Sequence, residues 1–443
     1  MPIKHSALGD TMTRIQLQSL AASVTLALLG AGGPAMAQDS DTAALEARVA
    51  ELEATLKKLV DEKKAGSASA PAPAAKPAPA PAPSSSGTTY KFGGYAKFDG
   101  MFSDYSDATP ASSAVIRQFY LPSQTPVGDG SASGDATADF QGRETRLNFT
   151  AATTTAGGDK VSAFVEMDFF THADGNELVS NSYSPRLRHA IVKYNNWTLG
   201  QTWSTFQDVS VLPENLDFVG PAESTTFVRQ AMIRYTNGNL ELAAENPESF
   251  VLGTASTATG HDTIPDLIAR YTFKLDGGSY IRLAGLVRFL NIDEPGGVEA
   301  DENAFGISAS AKFMVGEKND VRAMLTYGDG VGRYVGLGLV RDGAVDALGT
   351  GIDTIKTTSG FVSYRHHWNE SWRSNITYGM NSIDLPASAG NQTKSASSFH
   401  LNVIHTLLPK LDVGAEIMFA ERELENGVDG DFTRILLSAK YAF

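Results

Sequence analysis

The chain has 443 residues, with 36 Lys and Arg against 50 Asp and Glu, a formal net charge of -14 and no Cys. The acidic balance argues against nucleic-acid binding, which needs a basic face, and the lack of Cys removes disulfide frameworks, thiolate metal sites and thiol nucleophiles. Beyond residue 40 no stretch holds the roughly 18 uninterrupted apolar residues that a membrane helix needs, so a helical membrane protein is excluded.

The first 37 residues read as an export signal. Lys4 and Arg14 precede an apolar run over 20–29, and Ala35-Met36-Ala37 is a small-residue cleavage site. Translation from Met12 would give a signal of more usual length. Residues 38–66 follow as a helix: Leu45, Val49, Leu52, Leu56 and Leu59 alternate steps of four and three, the seam of a coiled coil, with Arg48 and Glu53 placed to pair between helices. The run is too short to be stable alone, so another element must hold the chains together. Residues 67–89 are rich in Ala-Pro pairs with Lys76 as the charge, an extended spacer with little to bury.

From residue 90 to 443 the pattern changes to period two. At the end, Thr433, Ile435, Leu437, Ala439, Tyr441 and Phe443 form one face, and Arg434, Ser438 and Lys440 the other. The same alternation recurs at 411–419, 281–289 and 305–313, each about ten residues long, the length of a tilted membrane strand. Sixteen such segments are expected, starting near Tyr90, Phe140, Lys160, Arg186, Trp197, Phe227, Leu240, Ile264, Ser279, Asn303, Asn319, Lys356, Ser371, Ser398, Lys410 and Phe432. Short links such as 195–196 and 368–370 alternate with long loops such as 103–139, 203–226, 247–263 and 328–355. Tyr194, Trp197, Tyr235, Phe273, Phe313, Trp368, Trp372, Tyr441 and Phe443 lie near the short turns, as an interfacial girdle would. The fold class is therefore all-β: a 16-stranded antiparallel transmembrane β-barrel behind a short N-terminal coiled-coil helix. Only closure satisfies every backbone group in lipid.

Several stretches resemble the trimeric porins, and more closely the DcaP-like outer-membrane porins. They are 90–97 (YKFGGYAK), 186–190 (RLRHA), 200–206 (GQTWSTF) and 214–218 (ENLDF), with Tyr441-Ala442-Phe443 similar to a barrel-assembly signal. The resemblance implies a homotrimer in the outer membrane of a Gram-negative cell, in contact with lipid and lipopolysaccharide, its N-terminal extension in the periplasm. It also implies passive uptake of small anionic solutes such as dicarboxylates, with no enzymatic step and no cofactor.

The loop at 203–226 resembles a constriction loop and carries Asp208, Glu214 and Asp217. Strand parity points Arg146, Arg234, Arg270, Arg282, Arg288, Arg322, Arg373 and Arg434 into the lumen. Opposed acidic and basic walls would orient dipolar solutes, and excess Arg would favour anions. Arg270 and Arg288 stand nearest mid-strand, while Arg234, Arg322 and Arg373 suit a lower ring. The plainer alternative pairs these arginines with Glu166, Asp168, Glu241, Glu245, Asp412 and Glu416. His366-His367 and His400 with His405 lack a metal-site spacing, and Asp129, Asp135 and Asp139 sit in the Gly-rich first loop, where Ca²⁺ binding competes with the plainer reading of an ordinary exposed loop. No catalytic set and no metal site is expected. The competing functions are a general diffusion porin, an outer-membrane enzyme and a structural envelope tether.

Overall fold

The computed structural model describes residues 87–131, 133–171, 181–253, 262–294 and 297–443. The expected signal and heptad helix, and all but the last residues of the spacer, lie outside them.

Twenty strands follow in chain order: β1 (Thr89–Tyr105), β2 (Thr137–Gln141), β3 (Arg146–Thr154), β4 (Lys160–Asp168), β5 (Arg186–Tyr194), β6 (Trp197–Trp203) and β7 (Arg229–Asn237). Next come β8 (Leu240–Glu245), β9 (Val251–Leu252), β10 (Asp266–Lys274), β11 (Tyr280–Asp293), β12 (Glu299–Val315) and β13 (Asn319–Asp329). The last are β14 (Gly343–Val345), β15 (Ile352–Thr354), β16 (Lys356–His367), β17 (Trp372–Asp384), β18 (Thr393–Leu408), β19 (Leu411–Leu424) and β20 (Asp429–Ala442). Seventeen of them form one antiparallel sheet that closes where β20 pairs with β1, Gly100 lying opposite Leu437. β2 and β3 share one stave against β1, the upper register running through Asp99 and Gln141 and the lower through Tyr95 and Arg146. The result is the expected closed barrel of 16 staves. β9, β14 and β15 make a separate three-stranded sheet from the long loops.

Alternation decides which way each side chain faces. Leu283, Ile307, Leu325, Val362, Ile376 and Leu401 are exposed on the outer wall, where hydrocarbon rather than water meets them. The girdle aromatics are exposed near the short turns; Tyr235 alone is half-buried, its ring 4.9 Å from that of Trp197. Phe443 closes the chain by donating its N–H to the Gly94 carbonyl at 3.1 Å and stacking on Phe92.

The inner wall departs from a simple polar lining. Met101, Ile404 and Leu436 point inward and are buried against Leu216, and Met324 and Phe361 are buried against Val211. These apolar groups face the lumen because three long loops fold into it and cover them. The loop after β1 buries Ile116, Phe119 and Tyr120, and the loop after β13 buries Val331, Tyr334 and Val335. The loop after β6 runs between them.

Candidate functional site

The loop at 204–228 crosses the barrel and is fastened to the far wall along nearly its whole length. Asp208 caps the turn at Val209–Val211 by accepting from Ser210 N–H at 3.0 Å, and it also accepts from Ser310 Oγ at 2.8 Å and pairs with Arg282. Arg322 donates to the Leu212 carbonyl. Glu214 Oε1 accepts from Arg373 Nη2 at 2.7 Å, while its Oε2 lies 3.3 Å from Arg365. Burial pushes the Glu214 carboxyl up, but the hydrogen bond and charge of Arg373, with those of Arg365, outweigh it and hold it below the ordinary range. Glu416 of β19 accepts from the Leu216 and Asp217 N–H groups at 2.6 and 3.3 Å. Asp217 lies 3.7 Å from Arg434 and accepts from Tyr120 N–H at 2.9 Å, tying this loop to the one after β1. Farther on, Ser398 donates to Glu223 at 2.9 Å.

These contacts place the arginines expected to line the pore. Arg282, Arg322, Arg373 and Arg434 grip the loop, and Arg270 donates to both Glu241 and the Gln207 carbonyl. Arg234 donates to Thr205 Oγ1 at 2.7 Å and to the Trp203 carbonyl. Arg288 is 1% exposed; it pairs with Asp342 at 2.7 Å and Asp266 at 3.3 Å, and donates to the Gly330 and Glu248 carbonyls. The plainer alternative thus describes part of the set: Arg146 with Glu166, Arg234 and Arg270 with Glu241, and Arg373 with Asp412. Asp208, Glu214 and Asp217 do not face a basic wall across open water. They are turned to the wall that holds the loop, because an unpaired carboxylate under an inward-folded loop would lose its hydration.

Among the described residues a slot opens between this loop and β3–β6, a cavity of about 630 Å³. Of the eight expected arginines only Arg146 lines it. Around Arg146 the structure gathers cations that parity alone did not single out. Opposite Glu166 and Met167 of β4, a β-bulge in β5 leaves Arg188 out of the register and brings two successive residues, Arg188 and His189, to the inner side. Arg188 bridges Glu166 at 2.9 Å and Asp168 at 2.8 Å, and Arg186 also pairs with Asp168 at 2.8 Å. His189 shares a hydrogen bond with Thr202 Oγ1 at 3.0 Å. Lys193 lines the lower slot. Beside the upper slot Arg229 stacks on the Trp203 ring at 4.4 Å, and its Nη1 is buried without a hydrogen-bond partner. No described carboxylate lies within ion-pair reach of Arg229 or Lys193. Five cations therefore stand with two carboxylates along this wall. The stretch at 186–190 held the signal, but the bulge that aims Arg188 inward depends on pairing with a strand eighteen or more residues away.

Among the described residues no three His, Asp or Glu converge as a metal site would require. Asp139 is instead engaged by Arg117 at 2.8 Å.

The comparisons with known proteins agree with this architecture. The chain is similar to the crystal structure of the outer membrane channel DcaP of Acinetobacter baumannii, at 24% identity and a TM-score of 0.68, covering 81% of this chain and 99% of that one. Looser likenesses are OmpF of Salmonella typhi in complex with daunomycin (12% identity, 80% and 97% covered, TM-score 0.48) and OmpT of Vibrio cholerae (12%, 80% and 98%, 0.45). No curated protein sequence matches the chain. The family model described as DcaP outer membrane protein matches residues 73–443. With its closed barrel and inward loop, the chain belongs to the DcaP outer membrane protein family and is an outer-membrane β-barrel channel.

Proposed function

We propose that the channel conducts small hydrophilic solutes passively and prefers anions, and that they pass through the slot along β3–β6. The charge imbalance on that wall carries the reading. Elsewhere the lumen arginines are cancelled by carboxylates or spent on carbonyls. Here, among the described residues, Arg146, Arg186, Arg188, Arg229 and Lys193 meet only Glu166 and Asp168. A surplus of fixed positive charge in a confined aqueous path lowers the barrier for anions and raises it for cations. The dicarboxylate preference rests on the family resemblance, as does assembly as a homotrimer, which the heptad helix at 38–66 also favours. Export by the signal at 1–37 and a periplasmic spacer at 67–89 belong to the same reading, with the barrel itself at 90–443.

Reversal potential across a KCl gradient in planar bilayers tests it. The expected sign is that of chloride preference, weakened in Arg146→Gln/Lys193→Gln. A potassium preference in the native channel overturns it. Liposome swelling with succinate, neutral sugars and amines tests the finer claim, which fails if sugars of equal size enter fastest.

A further inference from the structure

The two sides of the slot differ in kind. β3–β6 supply the charges and the hydroxyls of Thr150, Ser162 and Thr202, set around Phe164 and Ile191. The folded loop supplies Val209, Leu212 and Phe218, and Phe227 and Trp203 close the upper end with rings 4.7 Å apart. No carboxylate of the loop reaches this side, since Asp208, Glu214 and Asp217 are all drawn to the opposite wall. Val209 keeps 41% of its surface exposed, so the apolar side meets the passing solute rather than hiding beneath the loop. On the other side Arg146 keeps 20% of its side chain exposed beside Glu166, which lies 3.6 Å from its Nε, so the rim of its guanidinium can meet one anionic head.

A solute hydrated on every side gains from only one of these walls. One with a charged head and a hydrocarbon flank gains from both, because its flank and the loop leave water together. We infer that the slot sorts anions by their apolar flank: a monoanion with one carboxylate or sulfonate on a hydrocarbon body is taken in preference to an equally sized hydrophilic anion. A second charged group is not required. The inference rests on the anion preference proposed above and adds a second axis of selection to it.

The test uses the full-length channel in planar bilayers with cyclohexanecarboxylate and glucuronate, two six-membered rings with one carboxylate each. Bi-ionic reversal potentials against chloride give their relative permeabilities. Roughly a fivefold to tenfold advantage of cyclohexanecarboxylate over glucuronate is expected from burying one ring face. In Val209→Ser/Leu212→Asn that ratio should fall toward one, whereas in Arg146→Gln both anions should lose permeability together. Equal permeability of the two rings in the native channel overturns the inference, whether or not the variants fold, and so does an undiminished ratio in the loop variant. Potassium preference in plain KCl is a separate outcome, which removes the anion reading and the inference built on it.

Discussion

Arg288 stands at mid-strand on β11, where parity makes it look like a solute contact, yet it spends its guanidinium on Asp342, Asp266 and two carbonyls. Removing one partner from a buried charge cluster leaves the others uncompensated, so Arg288→Met is expected to cost about 3–5 kcal/mol. The midpoint of thermal unfolding in detergent should fall, while unaltered melting would show that the cluster contributes little. Glu223 behaves differently because no cation among the described residues lies within hydrogen-bond range of it. Burial, against the opposing influence of His400, pushes its carboxyl from an ordinary 4.5 up to about 7. The folded state therefore holds a proton that the unfolded state releases. Its stabilising contribution is present below the ordinary value and lost as pH rises through about 7. Glu223→Gln should flatten this decline in melting temperature between pH 5 and 8; a parallel slope in the variant would assign the decline to other groups.

At the scale of elements, the strands and the loops obey different rules. Each strand is written locally, in alternation over about ten residues, which is why the sixteen starts fall within a few residues of those observed. The path of the loop after β6 is written across the chain: Glu214 meets a residue 159 positions away and Leu216 one 200 positions away. Periodicity shows that Arg373 faces inward, but not that a loop carboxylate will arrive to meet it. The same limit hid the apolar inner surface and the bulge that turns Arg188 inward. Two predictions belong here. Glu214→Gln should loosen the loop where β16 and β17 hold it and raise single-channel conductance; unchanged current would mean that the remaining anchors suffice. Gly200 has φ +114°, and a Cβ there would lie 2.2 Å from the Ala190 carbonyl oxygen. Gly200→Val should therefore cost about 1–3 kcal/mol in strain and lower the yield of heat-resistant barrel on gels.

For the whole molecule, the formal charge of -14 says little about what the lumen prefers. Charge on outer loops is screened within about 10 Å at 0.1 M salt, whereas the basic wall acts on a solute passing within contact distance. Chloride preference should accordingly shrink as KCl rises from 0.1 to 1 M yet keep its sign. A sign reversal would point to the outer loops as the source of selectivity.

With three loops tucked inside, the barrel is less an open pipe than a filled cylinder with a groove along β3–β6. Trimming side chains on the far wall would do little to widen such a conduit, because Arg282, Arg322 and Arg373 there are occupied in holding the loop. Enlarging it demands shortening a loop, and the new space would open beside arginines suddenly stripped of their counterions, so a broader passage would also be a more electropositive one.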